Sequence, residues 1–118
     1  MYGVGQSGVN AHRFDEGIKL FNSAEFFEAH EVLEDVWRVA PAEEKKFLQG
    51  LIQAAVAFHH HSTGNALGAR SLLARARRNL SDFPGEFKGV HLEHLLESLS
   101  RWQAALEDGQ PVPPLPRI

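Results

Sequence analysis

The residues best suited to chemistry lie in one stretch of the chain, from Ser23 to Ala40. His30 and Glu34 are four positions apart in it, and on a helix this spacing puts both side chains on one face, about 6 Å apart at Cβ. That geometry allows a hydrogen bond between them or the binding of one ion by both. Because apolar residues flank the pair, we expect it at the margin of the core, where an unsatisfied titratable group costs free energy.

A metal ion bound by His30 and Glu34 needs at least one further ligand, and the run His59–His61 offers one. His59 continues the apolar stripe of its helix four positions after Ala55, so we expect it to face inward. The set of His30, Glu34 and His59 would be a two-histidine, one-carboxylate site for a divalent metal such as zinc or non-haem iron. Its open positions could activate a bound water for hydrolysis.

The alternative interpretation of the same residues is structural. A histidine on an apolar helix face commonly bonds a carboxylate and a carbonyl, and the pair would then be a polar network inside a non-catalytic interaction or dimerisation module. The sequence leaves both interpretations open. It names no reaction and does not decide whether the protein is an enzyme.

Two other polar groups are better explained by exposed helix faces. His91 and His94, followed by Glu97, have a spacing that could bind metal, but we expect them in a first helical turn open to solvent. A cluster of arginines could contact phosphate groups, but the chain has a net charge of −3, so we expect no nucleic-acid binding. The arginines are Arg70, Arg75, Arg77 and Arg78.

The elements that must position these residues are helices. Apolar residues recur at helical spacing from 23 to 40, with Ser23 as the expected N-cap and Pro41 after the end. A short turn before Ser23 implies an antiparallel hairpin with a first helix. The third helix is apolar on nearly every side from Phe47 to Phe58 and should therefore be central.

Two further helices are expected, a fourth over about 66–80 after an Asn65 N-cap and a fifth over about 91–107. Residues 81–89 read as a loop, and no strand-like alternation appears. The fold class is therefore all-α, a compact bundle of about five helices that starts with a helical hairpin. We expect a flexible N-terminal tail over 1–9, a single helical domain over 10–108 and a Pro-rich C-terminal tail over 109–118.

Composition limits the class of protein. With 118 residues and no cysteine, the chain fits one domain without disulfides or thiolate metal sites, and a cytoplasmic location is expected. The longest apolar-dominated run has 12 residues, too few to cross a bilayer, so no membrane association is expected. Apolar surface left over on the first or fifth helix would favour a homodimer.

Most of the chain, from about Phe14 to Leu106, resembles the family known as domain of unknown function 309. The resemblance is carried by residues 26–37, by Phe47–Gln53 and by His59–Asn65. It implies a small all-helical protein whose His-x-x-x-Glu-x-x-Trp motif, matched by His30, Glu34 and Trp37, has been suggested to bind metal. It implies no established activity.

Overall fold

Five α-helices carry most of residues 2–118, the part of the chain that this computed structural model describes, with side chains described from residue 11 onward. The predicted all-α bundle is confirmed. The tail predicted for residues 1–9 falls outside the described side chains and stays a prediction. The helices are α1 (Tyr2–Asn22), α2 (Phe26–Val39), α3 (Ala42–Ser62), α4 (Ala66–Leu80) and α5 (Leu92–Asp108), and two short strands, β1 (Glu86–Phe87) and β2 (Val90–His91), precede α5.

Helices α1 and α2 form the predicted hairpin, but Ser23 does not cap α2. The N-cap is Glu25, which makes no side-chain cap hydrogen bond. Ser23 instead ends α1, since its N–H donates to Lys19 O at 3.0 Å. The chain then turns through Ala24 at a φ of 61°. The hairpin closes tightly at Gly17, where an added Cβ would lie 2.7 Å from Leu33 Cδ2.

Helix α3 is the central helix, as its apolar sequence predicts. It packs against α2 on one side and α4 on the other. Gly50 permits the close approach of α4, because a Cβ there would lie 2.6 Å from Leu80 Cγ. One polar link crosses this contact, with Asn79 Nδ2 donating to Gln53 Oε1 at 2.7 Å. The buried residues of α3 are Phe47, Leu48, Gly50, Leu51, Ala54, Ala55, Ala57 and Phe58.

The connection from α3 to α4 contains the predicted Asn65 N-cap. Gly64 has a φ of 86°, which glycine adopts without steric cost. The Asn65 side chain accepts from Gly68 N at 2.9 Å, which satisfies one of the free N–H groups at the start of a helix.

Residues 81–89 are not wholly a loop. Strands β1 and β2 pair antiparallel, with Glu86 opposite His91 and Phe87 opposite Val90. Two residues per strand are too few to produce an alternating pattern, so nothing in the sequence indicates these strands. The pair holds Phe87 against Phe47, with ring centroids 4.8 Å apart.

Residues 110–118, which contain neither helix nor strand, fold back onto the bundle. Trp102 Nε1 of α5 donates to Pro114 O at 3.1 Å, and Ile118 N donates to Asn22 Oδ1 of α1 at 2.6 Å. We call residues 110–118 the C-terminal segment. Within residues 2–118, none of the helices combines the length and hydropathy that crossing a membrane requires.

Candidate functional site

His30 lies on α2 with its imidazole mostly covered, at 19% side-chain exposure. Its Nδ1 is 2.5 Å from the carbonyl oxygen of Phe27, one turn earlier. Because a carbonyl can only accept, Nδ1 donates, and in the neutral ring Nε2 keeps its lone pair. The helix therefore fixes both the orientation and the tautomer of this histidine.

Glu34 faces that free nitrogen, as the four-residue spacing predicts. Its Oε1 is 3.8 Å from His30 Nε2, beyond hydrogen-bond range but close enough to attract a protonated imidazole. The Glu34 side chain is 45% exposed, so solvent screens this attraction. The two groups form a pair at the edge of the core, open to water on the Glu34 side.

His59 reaches this pair only through a phenyl ring. The Phe27 ring centroid is 5.0 Å from that of His30 and 5.3 Å from that of His59. Among residues 11–118, no group of three or more His, Asp or Glu side chains is placed to hold a metal ion. The structure thus pairs His30 with Glu34 and connects His59 through Phe27, and the predicted metal set of His30, Glu34 and His59 stays a prediction.

Phe27 is the site residue that the sequence argument missed. Phe26 and Phe27 are neighbours, and on a helix adjacent side chains point about 100° apart, so both cannot enter one core. Phe26 is buried at 6% exposure, while Phe27 is 46% exposed. The doubled phenylalanine was the available signal. We call Phe27, His30 and His59 the Phe27 patch.

Trp37, the third residue of the motif, packs against the core rather than joining the patch. Its indole Nε1 is buried without a hydrogen-bond partner. Lys45 of α3 lies over the ring, 4.4 Å from its centroid, and donates to Trp37 O at 2.7 Å. Trp37 therefore anchors the end of α2 to the start of α3.

A cluster of ion pairs, which we call the ionic lock, links α2 to α1. The Asp35 carboxylate is hydrogen-bonded by Arg13 of α1 and by Arg38 Nη1 at 2.6 Å. The bond from Arg13 is the main cause that lowers the pKa of Asp35, and the bond from Arg38 adds to it. Asp35 in turn raises the pKa of Arg13, with a smaller effect from Glu16.

The other polar groups singled out in the sequence lie at the protein surface or are only partly buried. His91, His94 and Glu97 are exposed around the start of α5, and no metal-ligating trio forms there within the described chain. Two of the four arginines contact other side chains of the protein. Arg77 donates to Gln103 Oε1 at 2.8 Å, and Arg70 lies 4.0 Å from Glu107.

Comparison with known proteins gives a family and two relatives. Residues 14–72 match the model of a domain of unknown function, DUF309. An uncharacterised protein of Aquifex aeolicus (strain VF5) is 34% identical over 102 residues, which cover 86% of this chain and 31% of that protein. The uncharacterised protein YpuF of Bacillus subtilis (strain 168) is 33% identical over 78 residues, which cover 65% of this chain and 45% of YpuF. The chain thus spans less than half the length of these relatives.

Proposed function

The chain belongs to the DUF309 family of domains of unknown function, and we propose that it is a non-catalytic interaction module that pairs with a second copy of itself through the Phe27 patch. The observation that carries this proposal is the 46% exposure of Phe27, whose ring contacts two imidazoles. Exposed aromatic rings with polar neighbours are the usual anchors of protein interfaces.

The geometry favours this surface over the other exposed apolar residues. Val39 and Leu67 are more exposed than Phe27, but both are aliphatic, whereas Phe27 presents an aromatic ring in contact with two imidazoles. Phe27 is held from two helices, since His30 belongs to α2 and His59 to α3. A side chain that is already ordered loses little conformational entropy when it binds.

A two-fold dimer would place the same patch on both partners. In that arrangement the two Phe27 rings meet near the axis, and the His30–Glu34 pair of each copy lies beside the contact. The pair then has a structural role, because the His30 ring supports Phe27 and its Nδ1 bonds the Phe27 carbonyl.

Sedimentation equilibrium over a range of protein concentrations tests this proposal. We expect the wild-type chain to dimerise and F27S to weaken the dimer at least tenfold, because loss of a central aromatic anchor costs about 2 kcal/mol or more. V39S is the matched control, since Val39 is exposed on the same helix, and it should dimerise like wild type. A wild-type chain that stays monomeric at its highest soluble concentration contradicts the proposal.

A second candidate function, metal binding, is favoured by one specific observation. His30 Nε2 and Glu34 Oε1 are 3.8 Å apart, within the roughly 3–4 Å that separates ligands of one zinc ion. The Nδ1 bond to a carbonyl also orients the ring as in many metal-binding histidines. The described residues supply only this pair in position, so the remaining ligands would be water, a partner's groups, or His59 after the Phe27 ring moves.

Metal analysis of protein purified without an affinity column, before and after chelation, tests this second candidate independently of the first. If the pair binds a divalent ion, zinc, manganese or iron will be retained or taken up, and H30A will lose it while H94A keeps it. Protein that takes up none of these metals excludes this candidate and leaves the interaction module untouched. The cytoplasmic location expected from the sequence stays a prediction.

A further inference from the structure

A cavity of about 450 Å³ lies at the end of the bundle where α3 ends and the turn between α1 and α2 passes. Its inner walls are the rings of Phe26, Phe58 and Trp102, all nearly fully buried. The C-terminal segment forms its outer wall with Val112, Pro113, Pro114 and Leu115. Neither the Phe27 patch nor the family match assigns it a role.

The size and the walls of the cavity suit a small apolar molecule. The volume of about 450 Å³ falls within the range of about 300–1,000 Å³ that ligand sites commonly occupy. The walls are already ordered. Phe58 and Trp102 pack edge to face with centroids 5.0 Å apart, and the bond from Trp102 Nε1 to Pro114 O fixes the indole.

The polar groups that line the cavity indicate which polar group a bound molecule would carry. The lining contains no Asp, Glu, Lys or Arg, so the imidazoles of His59 and His61 are the lining side chains that can carry a charge. Within the described chain, imidazole hydrogen bonds involve His30 and His60 but not these two rings. Ser62 Oγ already donates to His59 O at 2.6 Å.

His61 is the better placed of the two imidazoles. Its ring contacts Trp102 edge to face, with centroids 4.9 Å apart, so a ligand that contacts the indole lies beside this imidazole. An imidazole N–H donates to a carboxylate, and the bond is strengthened when the ring is protonated. With no carboxylate of the protein among the lining residues, that position is open to an acidic group from outside.

We propose that this cavity binds a small monocarboxylic acid whose apolar chain or ring lies against Phe58 and Trp102 and whose carboxylate meets His61. This proposal does not rest on the self-association proposed above. It requires no covalent step, and the ligand class follows from aromatic walls combined with two imidazoles as the ionisable lining groups.

Octanoate and 1-octanol are suitable probes because they share a chain length and differ in the acidic group. The chain has two tryptophans, so W37F leaves Trp102 as the single fluorescent reporter. The substitution is remote from the cavity, because Trp37 lies about 16 Å along α2 from the lining residue Phe26. Octanoate should change Trp102 emission to saturation and bind more tightly than 1-octanol. H61A should weaken octanoate about tenfold and leave 1-octanol unchanged.

Two leucine substitutions test the location of binding. S62L adds bulk at the cavity and should abolish the octanoate response, whereas S71L adds the same bulk on the exposed face of α4 and should not. The Trp102 indole N–H resonance of the wild-type protein reports the same titration without W37F. No saturable response to octanoate, equal binding by S62L and S71L, or equal binding of both probes overturns the proposal.

Discussion

At the scale of single residues, His30 is held by one hydrogen bond and by ring packing. We expect H30A to lower the free energy of unfolding by about 1 kcal/mol, because it removes the bond to Phe27 O and the support of the Phe27 ring. Urea unfolding measures this change. H94A, at an exposed position of α5, should leave stability within error, and an H30A protein as stable as H94A would show that His30 has no structural role.

At the scale of elements, the α1–α2 hairpin depends on the absence of a side chain at Gly17. Alanine is the better helix former by about 1 kcal/mol, yet its Cβ would lie 2.7 Å from Leu33 Cδ2. Leu33 is fully buried and has no room to move aside. The cost of overpacking, about 1–3 kcal/mol, should therefore exceed the gain in helix propensity. We expect G17A to be less stable than wild type in urea, and S71A on exposed α4 to be equal or more stable. A stabilised G17A would mean that the hairpin can open at this contact.

Because of the ionic lock, the stability that the α1–α2 hairpin contributes depends on pH. The pKa of Asp35 is lowered in the folded protein, chiefly by Arg13, from a reference value of 3.8. Stabilisation is therefore complete above that reference value and is lost as the pH falls through the folded pKa. Wild type should exceed D35N in unfolding free energy at pH 6, and the difference should shrink at pH 3 and in high salt. D15N, a substitution of an exposed carboxylate on α1, should show no such convergence, and a wild-type advantage over D35N that persists at pH 3 would contradict the lock.

At the scale of the whole molecule, the sequence predicted what depends on local chemistry. Helix α4 has the predicted bounds because Gly64 and Asn65 define its start through their own backbone and side chain. The prediction that Ser23 caps α2 was wrong because the turn passes through Ala24 at positive φ. That turn conformation depends on how α1 and α2 pack.

The candidate site likewise has one part that local sequence predicts and one part that depends on helix packing. The four-residue spacing of His30 and Glu34 is enough to predict that they face each other. The position of His59 depends on how α2 rotates against α3, and that rotation is set by Phe26 entering the core and Phe27 remaining outside. Pattern alone does not decide which of two neighbouring phenylalanines is buried.

The packing of the C-terminal segment against the bundle also depends on contacts between residues distant in sequence. Substitution of the two tryptophans tests this packing. Trp102 Nε1 donates to Pro114 O, whereas Trp37 Nε1 is buried without a partner. Both W102F and W37F lose ring area, but only W102F loses a hydrogen bond, so W102F should cost about 1 kcal/mol more in urea unfolding. Amide hydrogen exchange in residues 110–118 should accelerate in W102F and stay unchanged in W37F. Equal exchange in both variants would mean that the segment is held by apolar contacts and by the bond of Ile118 to Asn22, without help from the indole.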